Sequence, residues 1–382
     1  MRIILATPIY PPEIGGPATY TKELATKLAK AEQVTIVAYA DTGEVVDGAK
    51  LVLVNKKQPL LSRLTEYFFT LVREAKDAQM IYVQNAVAAG LPAVLAGKFL
   101  RKPVVLKFVG DEAWERATQE GKTTKTLEQF LTAPEGGLKT ALFIAIQKFV
   151  LNRAAAVVPP SEFLGKILTA HYGVPESRVT VNYNAFEDGQ TGTETIERKP
   201  HQILSVSRLV SWKRVDGIIN ALKILKNTFS DATLVIAGEG PEEAGLKKLA
   251  NDLGLGDSIT FTGRLTHAEI VKLEKESGVM VLNSTYEGLP HIVLEGFAAQ
   301  TPVVATDIPG TREAVIHEKS GLLVPVKDDA TLAVAVGRIL ADQALREIVV
   351  NGGLKILKEK FSWEEHLQTL LAIFASVQEN GK

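Results

Sequence analysis

The chain predicts an α/β protein built as two doubly wound parallel sheets. Three observations carry that expectation. Short apolar runs alternate with helical segments through residues 2–182, and the alternation starts again at residue 203. Residues 185–199, with Glu187, Asp188, Gly189, Gln190 and Gly192 and with Pro200 just beyond, form a charged, turn-rich linker between the two halves. Loops that carry glycine or charge fall repeatedly at the carboxyl ends of the apolar runs, the edge where open α/β sheets take their ligands. The boundaries expected are a first domain over 1–190, a second over 198–360, and a last helix over 361–382 that crosses back to the first domain.

A length of 382 residues suits about two or three domains. Apolar residues make up 46 % of the chain, enough for full cores, and a formal net charge of −1 argues against general electrostatic binding of nucleic acid. The absence of cysteine excludes disulfides, thiol catalysis and cysteine-held metals, and is compatible with a reducing compartment. Residues 2–6 are too short for a signal-peptide core and are followed by Pro8, so they read as a first strand. No run is long enough to cross a membrane. The location expected is cytoplasmic, with peripheral contact at the inner membrane face as a further option.

In the first half, residues 2–7 are a strand, followed by the loop Tyr10-Pro-Pro-Glu-Ile-Gly-Gly-Pro17 and a helix over 18–31. Residues 33–40, 50–54, 80–83, 103–109, 156–158 and 179–182 read as further strands, and 61–76, 91–100 and 138–155 as helices. Gly15 and Gly16 let a ligand approach the backbone closely, but the loop is not Gly-x-Gly-x-x-Gly, so the nicotinamide fingerprint is absent. Gly110-Asp-Glu-Ala-Trp-Glu-Arg116 follows a buried strand. Asp111 there is a site candidate, with capping of the next segment as the competing reading. Residues 117–137 look polar and irregular, and Gly121-Lys-Thr lacks the first glycine and the preceding strand of a P-loop. The helix over 138–155 carries Phe143, Ile144, Ile146, Phe149, Val150 and Leu151 with Lys139, Lys148 and Arg153. It reads first as packed on its own domain and second as a membrane-surface helix. Ser161 caps a helix reaching Tyr172.

The second half has strands at 203–207, 233–237, 259–262, 279–282, 301–306 and 321–324. Helices read at 215–227, 245–253, 267–277, 292–299, 330–339 and 345–359, and a last one opens at Phe361-Ser-Trp-Glu-Glu365 with Ser362 as cap. The whole chain is organised around Asn283-Ser-Thr-Tyr-Glu-Gly-Leu-Pro-His-Ile-Val-Leu-Glu295. An apolar strand leads in and a helix leads out, with Pro290 expected at its first position. Glu287 then lies on a strand-to-helix loop and Glu295 more than a turn into the helix. Main-chain amides of Gly288, Leu289 and His291 at a helix start attract anions. Arg208 and Lys213, five residues apart on the loop after the 203–207 strand, are two cations placed for a diphosphate. Glu295 suits vicinal hydroxyls, Glu287 sugar hydroxyls, and Gly263 with Arg264 a stacked or main-chain-bonded base. No Gly-x-Ser-x-Gly elbow, no zinc spacing among the six histidines and no Asp-x-Asp are present, so no metal is expected.

Taken together, the Gly15–Gly16 loop, Gly110-Asp-Glu-Ala-Trp114, Ser207-Arg-Leu with Lys213-Arg214, Gly238-Glu-Gly-Pro241, and Glu287-Gly-Leu-Pro through Glu295 resemble the retaining glycosyltransferases of family 4. The span from Asn283 to Val324 is the most specific part. The resemblance implies the GT-B fold, two Rossmann-like domains facing across a cleft, and transfer of a sugar from a nucleotide-diphosphate sugar to a hydroxyl of a glycan, lipid-linked or small-molecule acceptor. It implies a diphosphate held by Arg208 and Lys213, a ribose by Glu295, and the donor sugar by Glu287 with Gly288, Leu289, Pro290 and His291. Gly16 would reach the phosphates, and Gly238, Gly263 and Arg264 would line the donor side. No cofactor and no metal are implied. Many relatives carry a histidine after the strand that here ends near Val109. This chain has none before His171, and Asp111 lies nearest that place. A sugar-nucleotide epimerase and a non-catalytic nucleotide-sugar binding protein are the competing readings, and a nicotinamide oxidoreductase is disfavoured by the missing fingerprint.

Overall fold

The computed structural model describes residues 1–13, 15–186 and 196–380. The chain divides into two compact units, Met1–Asn182 with Leu367–Lys382, and Tyr183–His366. Most of the linker expected at 185–199 lies outside the described residues. Phe186 already packs with Met280, Leu282 and Phe361 of the second unit.

In the first unit the order is β1 (Arg2–Thr7), α1 (Gly16–Leu28), β2 (Gln33–Tyr39), β3 (Ala49–Val54), α2 (Leu60–Glu74), β4 (Met80–Gln84), α3 (Gly90–Leu100), β5 (Val104–Lys107), α4 (Glu112–Gln119), α5 (Leu127–Thr132), α6 (Gly137–Arg153), β6 (Ala156–Val158) and α7 (Glu162–Ala170). The strands form one parallel sheet in the order β3-β2-β1-β4-β5-β6. β4 and β5 are buried along their whole length, which is why the sequence shows unbroken apolar runs there and no alternation. Two expectations fail. Residues 117–137 are not irregular throughout, because α5 forms behind a capping box in which Thr126 and Gln129 satisfy each other's backbone. Residues 179–182 form no strand, only an isolated bridge from Val179 to Val157. Ser161 does cap α7, accepting from Leu164 N.

In the second unit the order is β7 (Lys199–Val206), α8 (Val215–Leu225), β8 (Thr233–Ala237), α9 (Glu243–Asp252), β9 (Ile259–Gly263), α10 (His267–Glu276), β10 (Ser277–Leu282), α11 (His291–Ala298), β11 (Val303–Thr306), α12 (Pro309–Arg312), β12 (Leu322–Val324), α13 (Asp329–Ala341) and α14 (Gln343–Lys360). The parallel sheet runs β12-β11-β10-β7-β8-β9. Successive residues of a strand face opposite sides of the sheet, and two cores follow from that. Val279 and Val281 join the core beneath α8 and α13, whereas Met280 and Leu282 join the one with Val293, Phe297 and Phe361. α15 (Trp363–Asn380) is capped by Ser362, which accepts from Glu365 N at 3.3 Å. Its stretch from Leu367 onward belongs to the first unit, where Phe374 meets Tyr82 edge-on at 5.6 Å.

Candidate active site

In both sheets the strand order reverses once. The reversal falls between β1 and β4 in the first unit and between β10 and β7 in the second. At such a point the loops leaving adjacent strands diverge to opposite faces and open a crevice at the carboxyl edge. In the second unit those loops are Ser207–Arg214 and Asn283–Pro290, which hold most of the residues singled out from the sequence.

The structure joins the two loops directly. Lys213 Nζ donates to Glu287 Oε1 at 2.5 Å, and both side chains are largely shielded. Ser284 Oγ donates to the same Glu287 oxygen at 2.5 Å. Thr285 N bonds Trp212 O at 2.7 Å and Asn283 Nδ2 bonds Arg214 O at 2.9 Å. Arg214 is clamped by Asp216 and Asp329. Lys213 and Glu287 were read separately from the sequence, one for phosphate and one for sugar hydroxyls. The structure makes them one ion pair that fixes the spacing of the loops. In a shielded place such a pair is costly to break from one side, because the remaining charge is left unmatched.

The neighbouring loops interlock with these. Leu209 N bonds Glu239 O at 2.8 Å and Glu242 N bonds Leu209 O at 3.1 Å, so the segment that follows the exposed Arg208 is tied to the turn after β8. Gly238 sits at φ 133 with Ser207 O only 1.9 Å from where a Cβ would stand, so only glycine fits there. Gly238 N also bonds Gly263 O at 2.9 Å, which brings Gly263 and the exposed Arg264 to the same edge. Gly310 at the start of α12 presses on the main chain of Glu287 and Gly288. Leu289 and Gly288 are buried. Pro290, expected as the first helical residue, is instead the residue before it, at φ −78 and ψ 98, and α11 begins at His291. A proline just ahead of a helix gives up no intrahelical donor, so either place is compatible with its chemistry. Glu295 lies in α11, half-buried. Close to it in charge is Glu274 of α10, fully buried with both carboxyl oxygens unpartnered. Burial, reinforced by Glu295, pushes the Glu274 carboxyl well above its usual range.

Two predicted site residues lie in the first unit. Gly16 is exposed and opens α1, with no atom within 4 Å of a Cβ built on it. Asp111 is not on an open surface. It is fully buried and caps α4, accepting from Trp114 N at 2.9 Å and Gln147 Nε2 at 2.9 Å, with Tyr172 OH as a third donor. Burial pushes its carboxyl upward, and those three donors oppose the shift.

Sequence reasoning gave no individual role to Ser284, Asn283, Arg214, Asp329 or Gly310. The signal for the first two was their place right after an apolar strand. Nothing local pointed to Asp329, which is 115 residues from Arg214. Among the described residues no cluster of three or more histidine or carboxylate side chains could hold a metal ion.

Comparison with known proteins fits this arrangement. Residues 14–189 match the model described as Glycosyltransferase Family 4, and residues 190–355 the one described as Glycosyl transferases group 1. The chain is 31 % identical over 249 residues to an uncharacterized glycosyltransferase of Methanocaldococcus jannaschii, a match spanning 62 % of this chain and 63 % of that one. It is 25 % identical over 403 residues to the glycogen synthase of Mycobacterium tuberculosis, covering 95 % and 92 %. The structure of Anabaena HepE in complex with UDP-glucose superposes with a TM-score of 0.78 at 18 % identity, covering 98 % of this chain and 100 % of that one. With a family 4 half ahead of a group 1 half, each built on a six-stranded parallel sheet, the chain belongs to the family 4 glycosyltransferases of the GT-B fold.

Proposed function

We propose that the protein is a retaining glycosyltransferase that moves a sugar from a nucleotide-diphosphate sugar to a hydroxyl of a glycan, lipid-linked or small-molecule acceptor. The observation that carries this reading is the Lys213–Glu287 pair at the strand-order reversal of the second unit, on the loop that also bears Arg208. The HepE relative was solved with UDP-glucose, which supports a donor of that class. Arg208 and Lys213 meet the diphosphate, and Glu295 accepts from the ribose hydroxyls. Glu287, held by Ser284, orients the sugar with the backbone of Gly288, Leu289, Pro290 and His291. Gly238, Gly263 and Arg264 border the base.

The acceptor hydroxyl attacks the anomeric carbon on the side the diphosphate leaves, and the departing phosphate oxygen takes its proton. The new bond therefore keeps the anomeric configuration. Charge that builds on the leaving group is met by fixed cations, so positioning supplies most of the rate. With these cations meeting the diphosphate, the reaction in this reading takes no metal and no other cofactor. Asp111, sealed beneath α4, acts as a positioning residue for the Gly110–Trp114 turn.

Calorimetry with UDP, GDP and their glucosyl or mannosyl esters tests the donor site. One of these donors binds the wild type, and Lys213→Ala loses about a hundredfold or more in transfer rate. Transfer continues in excess EDTA, and NMR of the product shows the donor's anomeric configuration. Unchanged transfer in Lys213→Ala, or a product of inverted configuration, overturns the assignment.

A further inference from the structure

α6 is built inside out for a helix of a water-soluble surface. Its buried positions include the polar Thr140 and Gln147 beside Val150 and Leu151. Its outer stripe carries Leu138 at 92 % exposure, Leu142 at 59 % and Phe149 at 40 %. These residues recur at i, i+4 and i+11, so they lie along one face. α3 packs beside α6, with Gly90 against Val150, and exposes Leu95 and Phe99. A groove of roughly 380 Å³ between α2 and α3 extends the apolar surface through Leu64, Phe68 and Phe69.

The charges carried by α3 and α6 themselves have one sign. Residues 90–102 and 137–153, which hold α3 and α6, contain no aspartate or glutamate. They contain six cations, Lys98, Arg101, Lys102, Lys139, Lys148 and Arg153. Lys139 is bonded to Glu120 of the neighbouring segment, and Arg153 lies over the Phe149 ring at 5.3 Å. We propose that the outer face of α3 and α6 docks on an anionic lipid surface, with Leu138, Leu142, Phe149 and Phe99 entering the headgroup layer and the cations pairing with lipid phosphates. Long basic side chains can lay their stems on apolar surface and keep their heads at the phosphate level. A second copy of this chain would bring cation against cation across the same face, so self-association is the less favourable occupant. If the transfer reaction proposed above holds, this face favours a lipid-linked acceptor. The docking itself does not depend on that reaction.

Sedimentation of the full chain with vesicles, in the absence of any sugar, tests it. Binding is expected to mixed phosphatidylglycerol–phosphatidylcholine vesicles, weakly or not at all to phosphatidylcholine alone, and with strong loss at about 0.5 M salt. Lys98→Gln with Lys102→Gln and Lys148→Gln should weaken binding about a hundredfold. Leu138→Ser with Leu142→Ser should weaken it about tenfold or more without moving the unfolding midpoint, since both side chains already face solvent. Equal binding to neutral vesicles, no binding at low salt, or binding untouched by both sets of substitutions overturns the proposal. So does a dimer in light scattering that the Leu138→Ser and Leu142→Ser pair dissolves.

Discussion

Asp111 shows how one side chain can look like a site residue and be held for structure. Its two carboxyl oxygens take three donors, Trp114 N, Gln147 Nε2 and Tyr172 OH, in a place with no water access. Replacing one oxygen by an amide nitrogen sets a donor against the donors of Gln147 and Tyr172. The α4 cap can survive, because Trp114 N still finds an oxygen. Asp111→Asn is therefore expected to lower stability by about 1–3 kcal/mol in urea unfolding, and Asp111→Ala by more because the cap is lost as well. Loss of transfer in Asp111→Asn with unchanged stability would instead make it a residue that touches substrate. The sequence held both readings because a carboxylate after a buried strand serves either purpose. Only burial separates them, and burial is a property of the tertiary fold.

At the scale of elements, the parallel strands were the most legible part. The inner strands are covered on both faces and so appear as apolar runs, and β8 spans the same residues in sequence and structure. Helices with plain caps were legible too, through Ser161 and Ser362. The short α5 was not, because six residues are too few to display a helical period and its start rests on the Thr126–Gln129 capping box within a polar stretch. At the candidate site the loops could be placed but not their coupling, since Lys213 and Glu287 are 74 residues apart and no local pattern joins them. Gly310 illustrates that coupling. A Cβ there would stand 2.1 Å from Glu287 O and 2.9 Å from Gly288 O, so Gly310→Ala must push the Glu287 loop away from Lys213. Gly245 in α9 is the contrast, an exposed helical glycine with nothing within 4 Å of its would-be Cβ. Gly245→Ala is expected to raise stability by about 0.5–1 kcal/mol. Gly310→Ala should lower stability and weaken donor binding together, as thermal unfolding with and without donor would register.

For the whole molecule, two buried groups of opposite kind, one in each unit, contribute opposite pH dependences. Lys107 at the end of β5 has an unpartnered amine and lies over the Tyr20 ring at 4.2 Å. Burial lowers its pKa from the ordinary 10.5 to about 7. Between those values the unfolded chain binds the proton that the folded chain has released, so stability of the first unit rises with pH through that window. Glu274 behaves in reverse. Burial, then Glu295, raises its folded pKa well above 4.5, so the folded chain holds a proton that the unfolded chain has lost. Stability of the second unit therefore falls as pH climbs from about 4.5 toward that raised value. Because the chain divides into two compact units, differences between variants are the proper measure. Lys107→Met should be more stable than wild type at pH 6 and should lose the wild type's gain between about pH 7 and 10. Glu274→Gln should be nearly neutral in acid, where Glu274 is already protonated, and stabilising above the raised pKa. Calorimetric scans across pH check both, and parallel wild-type and Lys107→Met profiles would show that the amine stays charged when buried, stabilised by the Tyr20 face.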